Sequence, residues 1–219
     1  MLIAPSILNA DNLNLKKDIS KAIEAGIGRF HIDIMDAHFV PNLSFGPELV
    51  SDFKREFPMT DAEVHLMSDK PDVLVPAFVK AGADLIELHY EAMSEEKVDY
   101  WLDYMISNDV KTGLVLSPDT PIEVIKKFAS KLDQVLLMTV YPGFGGQKFI
   151  PESVERIKKA REILDEVKKD VPIEVDGGID DKTAKLAKDA GAEIFVAGSY
   201  IFKKGNIGEQ VSHLEEIIK

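Results

Sequence analysis

Two histidines and two aspartates lie near the ends of apolar, β-branched runs, and each run is followed by a loop. They are His31 and Asp33 in Phe30-His31-Ile32-Asp33-Ile34-Met35-Asp36, His65 in Ala62-Glu63-Val64-His65-Leu66-Met67, and Asp176 in Ile173-Glu174-Val175-Asp176-Gly177-Gly178. Alternate residues of a strand share a face, so His31, Asp33 and Met35 point one way while Ile32 and Ile34 point the other. His65 pairs with Met67 by the same rule, and Glu174 with Asp176. Polar groups alternating with aliphatics suit a parallel strand that lines a site on one face and packs under helices on the other. Two imidazoles and two carboxylates form a donor set for one divalent metal that leaves positions open for a substrate. One such residue alone reads as a polar group at a strand end. Four of them, with glycine loops further along the chain, point to a site.

The first of those loops is Tyr141-Pro142-Gly143-Phe144-Gly145-Gly146-Gln147-Lys148-Phe149, after the run ending near Val140. Its three glycines in four positions let backbone N–H groups approach an anion closely. Asp176-Gly177-Gly178 and Ala197-Gly198-Ser199 follow the seventh and eighth runs. There, barrels bind phosphate at the N-terminus of a short helix. The three loops predict a phosphorylated ligand held mostly by amides, because they contain no arginine and only Lys148 lies beside them. Met35, Met67 and Met138 fall on inward positions, as core filling or as a soft wall that excludes water. Ser6, near the end of the first run, either bonds a substrate hydroxyl or caps a helix. His38, His89 and His213 read as structural or surface residues, and Trp101 as packing in an outer helix layer.

Eight short apolar runs must position these residues: 2–8, 29–35, 62–67, 85–89, 112–116, 134–140, 172–176 and 193–197. Segments of helical spacing with charged outer faces separate them. Lys80-Ala81-Gly82-Ala83-Asp84 and Asp189-Ala190-Gly191-Ala192-Glu193 each precede a run, with Glu24-Ala25-Gly26-Ile27-Gly28 as a variant. The glycine in each suits a helix C′ position turning into a strand. Repeated βα units over residues 1–219 predict an α/β fold, a single-domain (β/α)8 TIM barrel. The alternative is a doubly wound open sheet, but no run leads at once into Gly-x-Gly-x-x-Gly. Every candidate residue sits at or just beyond a strand's C-terminal end, where barrel enzymes place their sites.

The 219 residues suffice for one such barrel, and 45% hydrophobic with 29% charged residues describes a globular chain. A net charge of −12 disfavours nucleic acid and anionic membranes as partners. It does not exclude a small anionic substrate, which backbone dipoles can bind locally. Without cysteine, a metal must be held by N and O donors. Met1-Leu2-Ile3-Ala4-Pro5-Ser6 shows no basic n-region and no apolar h-region, and no later run is long enough to span a bilayer, so a cytoplasmic location is expected.

Several blocks, taken in order, resemble the ribulose-phosphate 3-epimerase family over nearly the whole chain. They are Pro5-Ser6-Ile7-Leu8, His31-Ile32-Asp33-Ile34-Met35-Asp36-Ala37-His38-Phe39-Val40-Pro41-Asn42, Val64-His65-Leu66-Met67, Val140-Tyr141-Pro142-Gly143-Phe144-Gly145-Gly146-Gln147, Val175-Asp176-Gly177-Gly178 and Ala197-Gly198-Ser199. The resemblance implies that His31, Asp33, His65 and Asp176 bind one divalent ion (Zn, Mn, Fe or Co). It implies that Asp33 and Asp176 are the catalytic acid–base pair. It also implies substrate contacts from Ser6, His65, Met35, Met67, Met138, Gly143, Phe144, Gly145, Gly146, Asp176, Gly177, Gly178, Gly198 and Ser199. The expected partners are a phosphorylated ketose and further copies of the chain in a homo-oligomer.

The reaction implied is interconversion of D-ribulose 5-phosphate and D-xylulose 5-phosphate at C3 by two-base proton transfer through an enediolate. The chain departs from the family pattern with Ala37 for Gly, Ser117 for Asn and Tyr141 for Asn or Glu, none of which is a metal ligand or acid–base group. An allulose-6-phosphate 3-epimerase is the nearest alternative, but Gly145 and Gly178 follow the pentose pattern. Related barrel decarboxylases and aldolases carry Asp-x-Lys-x-x-Asp, where this chain has Met35 in the lysine position. A sugar-phosphate-binding module without chemistry would be expected to lack a ligand, and all four are present.

Overall fold

The computed structural model describes residues 1–167 and 170–219. The alternation in Phe30-His31-Ile32-Asp33-Ile34-Met35 becomes the seven-residue strand β2 (Arg29–Met35). Phe30, Ile32 and Ile34 face the large apolar core shared with the helices, while Met35 joins a separate small cluster with Met67. The other strands are β1 (Leu2–Ala4), β3 (Asp61–Met67), β4 (Leu85–His89), β5 (Lys111–Leu116), β6 (Gln134–Met138), β7 (Ile173–Asp176) and β8 (Ile194–Val196). Between and after them run α1 (Leu15–Glu24), α2 (Pro47–Glu56), α3 (Pro71–Ala81), α4 (Glu95–Ser107), α5 (Ile125–Phe128), α6 (Ser153–Glu166), α7 (Asp181–Asp189), α8 (Gly198–Lys203) and α9 (Ile207–Ile218).

The pairings between the named strands are parallel, in the order β1-β8-β7-β6-β5-β4-β3-β2. A single bridge, Ser6 to His31, closes the remaining edge, with the His31 N–H donating to the Pro5 carbonyl at 3.1 Å. The fold is the expected (β/α)8 barrel.

Two runs end two or more residues earlier as strands than their hydrophobicity predicts. β1 stops at Ala4 because Pro5 has no N–H for a ladder. Ser6 then caps a 3-10 turn (Ile7–Asn9), its hydroxyl accepting from the Leu8 N–H at 3.3 Å. β6 stops at Met138, and the Thr139 hydroxyl turns to the carbonyls of Asp176 (2.9 Å) and Gly177 (2.6 Å). The repeated Ala-Gly segments behave as read: Gly26, Gly82 and Gly191 have φ of 101°, 90° and 111°. That left-handed conformation closes a helix before the next strand. Trp101 is buried on α4 between Tyr100 and Tyr104.

Candidate active site

β2 and β3 pair with Asp33 opposite His65, and Met138 pairs with Asp176 across β6 and β7. This register gathers the four predicted donors at the C-terminal end of the barrel. His31 Nε2 lies 3.1 Å from His65 Nδ1 and 3.5 Å from Asp33 Oδ1, and His65 Nδ1 lies 3.3 Å from Asp33 Oδ1. Asp176 Oδ2 completes the group at 3.9 Å from His31 Nε2 and 3.8 Å from His65 Nδ1. Ligands roughly 2.0–2.2 Å from one ion, at tetrahedral to octahedral angles, stand about 3–3.6 Å apart. The donor set therefore fits a divalent metal, with Asp176 slightly outside that spacing. Ser6 takes the capping role, at a 3-10 turn, and in addition its hydroxyl donates to Asp33 Oδ2 at 2.5 Å.

Below this layer, the barrel interior holds a polar floor that sequence reasoning missed. His31 Nδ1 contacts Glu63 Oε1 at 2.8 Å, and Arg29 donates to Glu63 Oε2 at 2.9 Å. The Gln134 amide donates to Glu63 (3.2 Å), Glu87 (2.8 Å) and Glu174. All three glutamates are fully buried. Gly113 makes room for one of them, because a Cβ there would meet Glu87 Cγ at 2.6 Å. The inward parity of Glu63 with His65, and of Glu174 with Asp176, was the available signal.

These surroundings separate the proton affinities. Burial opposes charge on Asp33, yet the His31 and His65 rings outweigh it and hold the carboxyl well below the ordinary carboxylate range. Burial, and then the Asp33 charge, pushes Asp176 up to about 7. Burial also lowers His65 to about 4, while for His31 the pull of Asp33, Glu174 and Glu63 overcomes burial and raises it. Glu63 is drawn down to about 2 against its burial, by His31 first and also by Arg29. Burial and the Glu63 charge push Glu87 up to about 8 and raise Glu174. Glu87 Oε2 and Glu174 Oε1, each without a hydrogen-bond partner, fit carboxyls that retain protons.

Above the donors opens a cavity lined by Ser6, Asp33, Met35, Met67, Met138 and Asp176 on its floor and sides. Its far end is built by Gly143, Phe144, Gly145, Gly146, Gly177, Gly178, Gly198 and Ser199. His31 and His65 are fully buried beneath it. The other residues expected to touch substrate converge on one place, whereas His65, expected among them, lies below the lining. Gly178 has φ +66°, and a Cβ there would stand 2.3 Å from the Phe149 nitrogen. Only glycine fits where the loops after β6 and β7 touch.

Asn9 also lines the cavity and was not anticipated. Its side chain lies 2.6 Å from where a Gly145 Cβ would be and 2.7 Å from that of Gly198. This contact joins segments remote in sequence, so no local motif announced it. Lys148 is exposed and borders a neighbouring shallow pocket together with Lys204. Of the three departures from the family pattern, none lines the cavity. Ala37 shapes the turn after β2, Ser117 bonds through its backbone, and the Tyr141 hydroxyl donates to Asp119 at 3.0 Å. His38 is exposed beside Asp69, and His213 is exposed, as expected. His89 takes the structural alternative: it is fully buried, with Nε2 2.9 Å from His65 Nε2.

A closed parallel barrel with a His2Asp2 donor set facing a glycine-looped cavity defines a barrel enzyme. Comparison with known proteins narrows the class. The family model described as the ribulose-phosphate 3 epimerase family matches residues 2–202. A ribulose-phosphate 3-epimerase from Bacillus subtilis is 44% identical over 215 residues, covering 97% of both chains. One from Chlamydia muridarum is 46% identical, covering 94% of this chain and 90% of its own. The chain belongs to the ribulose-phosphate 3-epimerase family and is an isomerase. A solved 3-hexulose-6-phosphate synthase superposes with a TM-score of 0.75 over 100% of both chains at 17% identity, a likeness of fold alone.

Proposed function

We propose that the chain interconverts D-ribulose 5-phosphate and D-xylulose 5-phosphate at C3, using one divalent metal ion. The observation that carries this reading is the cavity itself, with four convergent donors at one end and amide-rich glycine loops at the other. His31 Nε2, His65 Nδ1, Asp33 and Asp176 would hold the ion. When bound, it supplies Lewis-acid stabilisation of the negative charge that develops at the reacting centre, worth several kcal/mol.

The chain's own groups move the protons. Inverting a carbon beside a ketone requires removal of its proton from one face and delivery of a proton to the other. Two carboxylates of unlike proton affinity at one centre suit that task. Asp33, held ionised, accepts the proton, and Asp176 delivers one; the reverse reaction exchanges their roles. Ser6 holds the Asp33 carboxylate through Oδ2. The buried Met35, Met67 and Met138 keep water from the enediolate. The phosphate rests on amides of the loops containing Gly143, Gly145 and Gly146, Gly177 and Gly178, and Gly198 and Ser199, beside Phe144. The relatives named as ribulose-phosphate 3-epimerases support the pentulose, as do Gly145 and Gly178 and the position of the three departures outside the cavity.

The test is an epimerisation assay of metal-loaded protein on ribulose 5-phosphate, allulose 6-phosphate and free ribulose. An extra hydroxymethylene between fixed ends misplaces the reacting atoms, and about 1 Å of misplacement can cost roughly 100-fold. The expected kcat/KM order therefore has the pentulose phosphate first. A preference for allulose 6-phosphate would assign the hexulose reaction instead, and equal use of free ribulose would remove the phosphate site.

A further inference from the structure

We propose that His89 and Glu91 are positioning residues that fix the tautomer of His65 so that its Nδ1 lone pair faces the metal site. The inference rests on the metal reading above. The chain of contacts is continuous: His65 Nε2 lies 2.9 Å from His89 Nε2, and His89 Nδ1 lies 3.0 Å from Glu91 Oε2. Both imidazoles are fully buried, with ring centroids 5.0 Å apart and planes inclined by 24°. Glu91 Oε1 in turn accepts from the Ser117 N–H at 2.8 Å and from the Thr120 hydroxyl.

The direction of every proton follows from the acidic end. An ionised carboxylate only accepts, so His89 Nδ1 must carry the hydrogen. With that hydrogen on Nδ1, the ring presents its Nε2 lone pair, which can only accept, so His65 Nε2 carries a hydrogen. That leaves His65 Nδ1 bare and aimed at the site, 3.3 Å from Asp33 Oδ1. Glu91 is held ionised down to about 2: burial opposes this, and His89, Thr120 and the Ser117 N–H outweigh it. Without the carboxylate, the chain can reverse and point an N–H of His65 at the site, where it blocks ligation. His31 is set by the same logic in one step, through Glu63 Oε1 at 2.8 Å from its Nδ1. The longer chain also ties the loop after β5, at Ser117 and Thr120, to the ligand layer.

The test uses Co²⁺ alone as the probe, with its dissociation constant measured by chelator competition and its visible spectrum recorded. His89→Phe keeps the ring and its burial but removes the acceptor. It should weaken Co²⁺ binding about 10–100-fold and shift the visible bands. His89→Gln, whose amide oxygen can accept from His65, should recover part of the affinity, and Glu91→Gln should fall between wild type and His89→Phe. KM for the phosphorylated substrate at saturating metal should stay near wild type, because no phosphate contact changes. Co²⁺ affinities within twofold of wild type for both His89→Phe and Glu91→Gln would overturn the inference; if His89→Phe does not fold, Glu91→Gln decides alone. A wild-type protein that takes up no Co²⁺ removable by Asp176→Asn would overturn the metal reading, and this inference with it.

Discussion

Asp33 and Asp176 face the same two imidazoles, yet one is held ionised and the other is pushed up to about 7. The difference comes from position. Asp33 sits between both rings and accepts from Ser6, whereas Asp176 is more distant from the rings and feels the Asp33 charge. Such divergence is how a pair of like residues takes unlike roles. Asp33→Asn and Asp176→Asn should each lower kcat by about 10²–10⁴-fold or more, because each removes the proton carrier on one face. Isotope exchange separates the two. In deuterated water, a variant that keeps the base for one substrate epimer should exchange that proton slowly without inverting the centre. Normal epimerisation by either variant would refute the pair, and metal content must be measured alongside, since both residues are also proposed ligands.

At the scale of elements, the turn after β2 carries a visible strain. Ala37 has φ +58°, held by its N–H donating to the Asn42 carbonyl at 2.8 Å. A left-handed alanine costs about 1–2 kcal/mol relative to its ordinary conformation, partly offset because glycine gains more freedom on unfolding. Ala37→Gly should therefore raise stability by about 0.5–1 kcal/mol in denaturant melts, and a loss of stability would contradict the strain. The phosphate loops give a contrasting pair. Gly178→Ala forces a Cβ into the Phe149 backbone and should raise KM for the phosphorylated substrate more than about 10-fold by displacing the loop. Lys148→Ala, exposed and outside the cavity lining, should change KM less than about threefold. Strand parity made the ligand layer legible in sequence, and the Ala-Gly repeats made the βα turns legible. Parity could not assign His89, because its partners are an inward side chain on the neighbouring strand and a glutamate beyond its own. Asn9 was illegible for a stronger reason, since its place depends on loops after β6 and β8 that only the closed barrel brings together.

Across the whole molecule, the four donors come from β2, β3 and β7, which are not all neighbours in the sheet order. A bound ion would therefore link staves on different sides of the barrel, including the seam at which a single Ser6–His31 bridge joins β1 to β2. Binding only to the folded state stabilises it by about 4 kcal/mol at a thousandfold excess over Kd, or roughly 8–16 °C in melting temperature for a chain of this size. The metal-free protein should also respond to pH with a defined sign. Asp176 and Glu87 have folded values raised to about 7 and about 8, and His31 is raised as well. Stability from such groups is complete below their ordinary values and is lost as pH rises through the folded ones. His65, lowered to about 4, acts oppositely, losing stability as pH falls from 6.5 through 4. Above pH 6.5 its remaining gain is only RT ln 2, roughly 0.4 kcal/mol, which the raised groups outweigh, so the metal-free protein should lose stability from pH 6.5 to 8. Metal relieves the part due to Asp176 and His31 and competes with their protons, so the gap between loaded and chelated melting temperatures should widen over that range. Calorimetric melts at pH 6.5, 7.25 and 8, with and without chelator, measure this gap. Curves indistinguishable with and without metal, or a gap that narrows as pH rises, would show that the four donors do not act as one site.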